Sequence, residues 1–326
     1  MRTRLTRREL LTVAGAAGLL LAAGCSSAQS GEDDPNGPVN IAHAFGKTTV
    51  PAPPTRVVSA GFTEQDDLLA LGVIPIATTE WFGGEPFAVW PWARAALGTA
   101  QPEVLSLADG IQIDRIAALK PDLIVAINAG VDADTYERLS AIAPPLPKSG
   151  GAAFFEDWKD QANTIGIATF QRNAMKTLIA AVDDKFIAAG ASHPQFKDKR
   201  VVLLAGTPWG GAITATLPGW RTDFLTQMGF VVPDSLAAFA QGDRARIPLE
   251  QLGAALADAD ADVVIWTTES DAEQGALLAD PKIAAQGRRN VFTTRELAAA
   301  MAFSSPLSLP VVADQLPPLL VRALGG

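Results

Sequence analysis

The chain has 326 residues, 48% of them hydrophobic, and a formal net charge of −9. This length allows two domains with a core in each, and the composition excludes an intrinsically disordered protein. The acidic balance argues against nucleic acid as a partner.

The first 24 residues have the form of a secretion signal. Four arginines within the first eight residues precede an uncharged run at 10–23. At about 14 residues this run is shorter than the ~20 that a membrane-spanning helix needs, which favours a cleaved leader. Residues 6–11 resemble the twin-arginine export motif, but Thr12 stands where Lys is usual. Twin-arginine and general secretion therefore both stay open.

Cys25, the only cysteine, follows Leu21-Ala22-Ala23-Gly24, which resembles a bacterial lipobox. We expect Cys25 to carry lipid and to anchor the exported chain at the outer face of the cytoplasmic membrane; a lone buried cysteine is the alternative. Loss of residues 1–24 removes four Arg and one Glu, a net +3, and changes the charge from −9 to −12. The Ser-, Gly-, Asp- and Pro-rich stretch at 25–38 is predicted to be a flexible tether.

An N-terminal α/β lobe is predicted at 39–168. Apolar runs bounded by turn residues predict its strands, and apolar residues spaced three and four apart predict its helices. In chain order we expect a hairpin at 39–50, a strand at 56–60, a helix at 63–71, a strand at 74–78, an aromatic loop at 81–92, a turn and helix at 109–119, a strand at 122–127, and helices at 132–142 and 154–167.

A long helix is predicted at 169–190, where Met175, Leu178, Ile179, Val182 and Phe186 form one apolar stripe. A C-terminal lobe follows at 191–326. It is expected to contain strands at 200–204, 213–216, 262–268 and 290–293, and helices at 221–228, 249–257, 296–303 and 307–324. Alternation of apolar strands with helices is typical of parallel sheets covered on both faces.

Two segments repeat one pattern. Residues 111–119 precede the strand that opens with Asp122, and residues 247–255 precede the strand that opens with Asp262. Each has an acid between the same apolar positions, Asp114 in the first and Glu250 in the second. An internal duplication would give two related lobes joined by the central helix; a chance likeness between two βαβ units is the alternative.

No pattern for a catalytic nucleophile or a zinc site is present, so an enzyme is not expected. With two histidines and one tyrosine, the chain is poorly supplied to ligate bare ferric iron or haem. No protein cofactor or resident metal is expected. An iron-containing ligand of this protein would therefore have to supply the atoms that coordinate its iron.

The candidate ligand residues follow predicted strands, open the predicted helix at 221–228 or lie in the aromatic loop. Ligands of open α/β sheets bind at strand ends. The candidates are Phe62, Thr63, Glu64, Trp81, Phe82, Phe87, Trp90, Trp92, Asn128, Trp209, Trp220, Arg221, Thr268 and Glu269. The aromatic loop could instead fold over a small core of its own, and Arg221 could be a solvated arginine at a helix start.

Several segments resemble the binding lipoproteins of ABC importers for ferric siderophores, cobalamin and haem, most closely the FecB-like iron-transport lipoproteins. The resemblance rests on residues 56–59 with 64–72, on 113–124 with its Lys-Pro-Asp-Leu-Ile, on 158–166 and on 224–229. It implies a class III periplasmic binding protein: two Rossmann-like lobes, one rigid helix and little hinge motion. It also implies that Asp114, where Glu is more usual, and Glu250 dock into the permease; surface acids at helix starts are the alternative.

We therefore expect a monomeric binding protein that captures a ferric siderophore in a Trp-lined cleft, with Arg221 and Arg295 orienting it, and that delivers it to an ABC permease. Ferric iron would be present only within the siderophore. Haem or cobalamin is the alternative cargo. An exported hydrolase, a metal chaperone and a lipoprotein without cargo are the alternatives from other classes.

Overall fold

In a computed structural model of the chain, the structure describes residues 37–151 and 154–325. The leader, Cys25 and the tether up to residue 36 lie outside the described residues, so the predictions made for them stay predictions. The described part contains two α/β lobes, and one long helix lies between them in the sequence. None of the described helices is both long enough and apolar enough to span a membrane.

The N-terminal lobe is built on a five-stranded parallel sheet with a separate hairpin. Its strands are β1 Val39–His43, β2 Gly46–Val50, β3 Val57–Ser59, β4 Ala77–Glu80, β5 Glu103–Ser106, β6 Leu123–Ala126 and β7 Pro145–Pro147. Its helices are α1 Glu64–Ala70, α2 Pro91–Leu97, α3 Ile113–Ala118, α4 Ala133–Ser140 and α5 Trp158–Ala168. β1 and β2 form the hairpin, and the sheet order is β5-β4-β3-β6-β7.

Three predicted boundaries in this lobe were wrong for local reasons. The strand predicted at 74–78 begins only at Ala77, because Pro75 cannot donate a ladder hydrogen bond. The predicted aromatic loop ends early, since Pro91 occupies the first turn of α2, where a missing N–H costs nothing. The helix predicted from residue 154 begins at Trp158, and the side chain of Asp157 accepts a hydrogen bond at its start.

The long helix α6 is Arg172–Ser192, and the predicted apolar stripe lies against the core. Its start at Thr169 was wrong: the Thr169 hydroxyl donates to the Ile165 carbonyl at 2.8 Å and closes α5 instead. Its end at Gly190 was also wrong, since the helix continues to Ser192. Gly190 serves a different purpose, because the backbone of Met228 packs directly on it.

Gly190→Ala is expected to destabilise the protein by about 1–3 kcal/mol, because the new methyl would lie 2.7 Å from the Met228 carbonyl oxygen and would push two backbones apart. The matched control is Gly275→Ala in an exposed helix, where a methyl meets nothing within 4 Å. It should be neutral or stabilise by up to about 1 kcal/mol. Urea unfolding measures both, and equal effects would show that the contact at Gly190 is unimportant.

The C-terminal lobe has a six-stranded mixed sheet. Its strands are β8 Val201–Ala205, β9 Ala212–Thr216, β10 Ala240–Gln241, β11 Arg244–Pro248, β12 Val263–Thr267 and β13 Asn290–Phe292. Its helices are α7 Asp223–Gln227, α8 Leu252–Asp258, α9 Asp271–Leu278, α10 Pro281–Ala284, α11 Arg295–Phe303 and α12 Leu309–Leu324. The sheet order is β10-β11-β9-β8-β12-β13.

The expectation of a fully parallel sheet was wrong in this lobe. β8, β12 and β13 are parallel, but β9 and β11 run antiparallel to their neighbours. A tight turn at Gly210-Gly211 joins β8 to β9, and so short a connection can join only antiparallel strands.

The two lobes nevertheless match position by position. The order β5-β4-β3-β6-β7 corresponds to β11-β9-β8-β12-β13. Asp122 accepts from the Arg56 amide at 2.8 Å, and Asp262 accepts from the Arg200 amide at 2.9 Å. Each arginine Nε in turn donates to a backbone carbonyl that precedes its aspartate. These paired contacts support the duplication inferred from the sequence.

Candidate functional site

A cavity of about 230 Å³ lies at the carboxyl ends of β8 and β12. The N-terminal lobe contributes Phe82 to its lining, and the C-terminal lobe contributes Arg221, Arg244, Glu269 and Met301 among others. This position agrees with the rule that ligands bind at strand ends in open α/β sheets. The cavity is therefore the candidate ligand site.

Two largely buried guanidinium groups dominate the charge of this cavity. Arg221 lies between two rings, its Cζ 4.0 Å from the centre of Trp220 and 5.0 Å from that of Phe155, and its Nε donates to Asp243 at 3.3 Å. Arg244 donates from Nη1 to the Thr216 hydroxyl at 2.6 Å. Their planar forks are thus held in place by aromatic and hydroxyl partners.

Burial, followed by the nearby charge of Arg244, lowers the pKa of Arg221 to about 10. Burial also lowers the pKa of Arg244. Arg221 remains cationic at neutral pH even so, and Arg244 stays charged as an arginine does in proteins. Arg221 is ion-paired with Asp243, and Glu269 also lines the cavity, so the lining itself carries two positive charges and one negative charge. This excess of positive charge favours a ligand that brings anionic oxygen atoms.

The rings of the aromatic loop form an interlobe seam, defined here as Trp81, Phe82, Trp90 and Trp92 packed on Phe303 of α11. Trp90 is only 2% exposed, and it stacks on Trp92 at 5.1 Å with an angle of 5° between the planes. Phe303 lies 5.5 Å from both Trp81 and Trp92. The seam is an apolar contact between the lobes.

The seam changes the expected character of the cleft. Among the described residues that line the cavity, Phe82 is the aromatic one, and no tryptophan is present. Neither Trp209 nor Trp220 makes a ring contact with the seam in the part of the chain that the structure describes. This cavity is instead lined by two arginines, one glutamate, two threonines, one phenylalanine, and aliphatic and methionine side chains, and the expected Trp lining is not found in it.

Arg295 is committed to the contact between the lobes. Its Nη1 lies 2.8 Å from Glu85 Oε1, its Nη2 donates to the Gly83 carbonyl, and its Cζ lies 4.8 Å from the centre of the Trp90 ring. Because these partners occupy the guanidinium outside the cavity, Arg295 fits a structural role better than the ligand-orienting role expected from the sequence.

One buried carboxylate also crosses between the lobes. Asp66 of α1 accepts from the Trp92 indole at 2.8 Å and from the Ser305 hydroxyl, beyond α11, at 2.6 Å. Burial raises the pKa of Asp66 to about 6, against an ordinary value of 3.8. At neutral pH it is therefore ionised, and both donors stabilise its charge.

Three predicted ligand residues form a buried polar network under the N-terminal side of the cleft. Glu64 Oε1 accepts from the Asn128 amide at 2.8 Å, and Asn128 Nδ2 donates to the Gln161 side chain. Gln161 Nε2 donates to Asp67 at 2.6 Å and to the Thr63 hydroxyl at 3.1 Å. Burial raises the pKa of Glu64 to about 8 and that of Asp67 well above its ordinary value. At neutral pH Glu64 is therefore mostly protonated and can remain buried.

The other predicted site residues are dispersed. Phe62 stacks on Trp81 at 5.6 Å, and Phe87 packs into a small core of the N-terminal lobe. The Thr268 hydroxyl donates to the Thr293 carbonyl at 2.7 Å, which is a structural bond. Trp209 is 77% exposed and lies outside the cavity lining. The acids predicted to dock, Asp114 and Glu250, are both exposed.

The sequence reasoning missed Arg244, Phe155, Phe303 and Asp66. Only Arg244 had a usable signal, because Arg244-Ala245-Arg246-Ile247 alternates with a period of two, as a half-buried strand does. Within residues 37–151 and 154–325, no group of three or more His, Cys, Asp or Glu side chains could hold a metal ion.

The chain matches a family model described as "Periplasmic binding protein" over residues 57–295. A crystal structure of a periplasmic solute binding protein from Mycobacterium smegmatis str. MC2 155 is 58% identical to it. That match covers 89% of this chain and 99% of the other, with a TM-score of 0.84.

Three curated relatives carry names that state a ligand, and one of them is the Fe(3+)-citrate-binding protein YfmC of Bacillus subtilis (strain 168). "Fe(3+) dicitrate-binding periplasmic protein FecB" of Escherichia coli (strain K12) is 30% identical over 229 residues, which are 65% of this chain and 70% of the relative. "Probable siderophore-binding lipoprotein YfiY" of Bacillus subtilis (strain 168) is 25% identical over 253 residues, 74% of each chain. Against another relative from B. subtilis and against YfmC, the chain spans 64% and 58% of the relative's length.

Proposed function

The chain belongs to the periplasmic binding protein family, and from that premise we propose that it captures a ferric siderophore between its lobes as the binding lipoprotein of an ABC importer. This family consists of binding components and not of enzymes. The two-lobed fold with a single long helix is the class III fold expected from the sequence, and that expectation is confirmed.

The observation that carries the proposal is the pair of buried guanidinium groups, Arg221 and Arg244, in the cavity. Charge-assisted hydrogen bonds from arginine to carboxylate are strong and directional. A ferric complex with outward-facing carboxylate oxygens would satisfy both cations, and iron would arrive with its coordination shell complete. The ferric dicitrate in the name of the FecB relative is a complex of this kind.

We place the cargo against Phe82, Arg221, Arg244 and Glu269, with Phe62 and Trp81 behind Phe82. Since a 230 Å³ cavity is smaller than most ligand sites, part of the complex would remain outside it. In this proposal the buried Thr63, Glu64 and Asn128 shape the N-terminal wall without touching the cargo.

Delivery would use Asp114 and Glu250, which are both exposed: Asp114 lies in the first turn of α3, and Glu250 lies two residues before α8. The chain would be exported, anchored through acylated Cys25 and monomeric. The membrane permease that receives the cargo would then contact one acid from each lobe.

We expect the chain without residues 1–24 to show saturable tryptophan quenching with ferric dicitrate and other carboxylate-type ferric complexes. Neutral ferrichrome should bind at least tenfold more weakly, since it offers the arginines no charge. The Trp residues of the seam lie close to the cavity, so a bound ferric complex should quench them. Metal-free citrate, iron-free ferrichrome and gallium complexes are the controls for direct absorption.

Saturable quenching by haem or cobalamin, without quenching by any ferric siderophore, would replace the proposed cargo. Zinc retained through purification, together with turnover of a substrate, would contradict a role in binding alone.

A further inference from the structure

Strand β11 carries a second arginine beside the one that lines the cavity. Arg246 follows Arg244 by two residues, so both side chains leave the same face of the sheet, about 6.5 Å apart along the strand. Ala245 and Ile247 point to the opposite face and are buried in a core cluster there. Since Arg244 lines the cavity, Arg246 belongs to the face on which the cavity lies.

The direction of the strands places Arg246 further out than Arg244. β11 is antiparallel to β9, and β9 is antiparallel to β8, so β11 runs parallel to β8. Arg246 is therefore nearer than Arg244 to the edge of the sheet at which β8 ends. The cavity lies at that edge, where ligands of open α/β sheets bind. Arg246 thus stands at the outer rim of the cavity.

The indole of Trp209 packs on this arginine. Trp209 lies in the turn after β8, at the same edge of the sheet, and the Arg246 Cζ is 4.7 Å from its ring centre. Arg246 Nη2 also donates to the Trp209 carbonyl at 3.2 Å, which ties the turn to the strand. The ring is nevertheless 77% exposed. These two residues, called the rim pair below, form a surface that is already ordered and loses less entropy when a ligand covers it.

Arg246 keeps donors for a ligand. Among the described residues its hydrogen bonds use Nη2 alone, to the carbonyls of Trp209 and Gly210. None of the ion pairs in the same part of the chain includes it. The N–H groups of Nε and Nη1 are therefore left for carboxylate oxygen, which an arginine fork binds well. The neighbouring indole offers an apolar face to the carbon skeleton that bears such a carboxylate.

We propose that the rim pair, Trp209 and Arg246, is the outer half of the cargo site and binds the part of a carboxylate-type ferric complex that the 230 Å³ cavity leaves outside. This inference rests on the proposed function and extends it. Arg221 and Arg244 hold the inner carboxylates, Arg246 binds an outer one, and the indole covers the carbon skeleton between them. The site then selects for a complex with carboxylates on two sides, since a smaller anion reaches the inner arginines alone.

Calorimetric titration of the purified protein with ferric dicitrate tests the contact, or with the best-bound carboxylate-type ferric complex if the wild type does not bind ferric dicitrate. We expect Trp209→Ala and Arg246→Met each to raise Kd about tenfold. The double variant should lose less than the product of the two, because both residues act on one contact. The controls are Ile187→Ala and Arg289→Met, which remove an exposed apolar side chain and an exposed guanidinium elsewhere, and neither should change Kd.

A second measurement asks whether cargo covers the ring. Trp209→Phe keeps an aromatic ring and should bind almost as well as the wild type, and the difference between the two emission spectra isolates the emission of Trp209. Acrylamide should quench this emission strongly in the empty protein, because the ring is exposed. Bound gallium dicitrate, or the gallium form of the complex used in the titration, should protect it several-fold. Gallium is diamagnetic, so protection reports coverage of the ring.

A Trp209 that stays equally open to acrylamide in the loaded protein would overturn the inference, and so would a wild-type Kd in Trp209→Ala. Either result leaves the proposed function standing, since the ferric complex still binds. A wild-type chain that binds no carboxylate-type ferric complex would overturn the proposed function and the rim contact with it.

Discussion

Arg244→Met is expected to weaken binding of an anionic ferric complex by about 100-fold, while leaving binding of neutral ferrichrome unchanged within a few-fold. Removing one partner of a buried, hydrogen-bonded charge pair costs about 2–5 kcal/mol, which corresponds to about 30- to 4,000-fold in Kd. Methionine preserves most of the side-chain length, so packing against Thr216 changes little. Arg221→Met should have a comparable effect, and the two losses should not add, because both cations face one small cavity.

The matched control is Arg289→Met, which removes an exposed guanidinium from a short turn before β13. Titration of ferric dicitrate should give a wild-type Kd for that variant. Because Arg244 is largely buried, thermal melting is needed to show that Arg244→Met still folds. A folded Arg244→Met protein with unchanged affinity for ferric dicitrate would contradict the assignment of the cavity as an anion site.

Asp66→Ala is expected to destabilise the protein by about 2–4 kcal/mol. It removes the acceptor that Trp92 of the N-terminal lobe and Ser305 beyond α11 share, and it leaves both donors buried without a partner. Asp66→Asn keeps one acceptor oxygen in that place and should destabilise the protein less than Asp66→Ala. Urea unfolding at pH 7 measures both variants.

The pH dependence of stability shows whether Asp66 is charged or neutral in its contact with Trp92 and Ser305. The folded-state pKa of Asp66, about 6, lies above its ordinary value of 3.8, so between these pH values the folded chain holds a proton that the unfolded chain has released. The contribution of Asp66 to stability therefore falls by about 3 kcal/mol as pH rises from about 4 to 7, and is constant above that.

Glu64 and Asp67 act in the same direction, because burial raises their pKa values too. The informative quantity is therefore the stability of wild type minus that of Asp66→Asn. This difference cancels most of the contribution of Glu64 and Asp67, since burial, and not the Asp66 charge, is the main cause of their raised pKa values. This difference should decrease over the same range. A difference that does not change with pH would show that Asp66 does not titrate between the lobes.

Much of the architecture could be predicted from the sequence because it depends on local patterns. The apolar run that opens with Asp122 and its counterpart that opens with Asp262 predicted two central strands, and the stripe on α6 predicted the connecting helix. The direction of β9 could not be predicted in this way. It depends on the turn at Gly210-Gly211, and a strand's hydrophobic pattern is the same whichever way the strand runs.

The site was harder to predict, because its chemistry depends on which side chains meet over long distances in the chain. Five aromatic residues close together suggested a ligand surface, yet Trp90 and Trp92 are covered by Phe303, about 200 residues further on. Arg221 was a candidate at the start of a predicted helix, whereas Arg244, the other cation of the cavity, lies in a strand that was not predicted. The spacing of residues in the sequence shows neither that Phe303 packs on these tryptophans nor that Arg221 and Arg244 line the same cavity.

The interlobe seam has a consequence for the competition between empty and loaded copies of the protein for the permease. Stacked rings, the Arg295–Glu85 ion pair and the Asp66 hydrogen bonds join the lobes on one side of the cavity, which opposes a wide separation before loading. If the chain delivers cargo as proposed, empty and loaded copies present nearly the same outer surface. Unloaded copies then occupy permease as readily as loaded ones, and raising the abundance of this protein without cargo slows import.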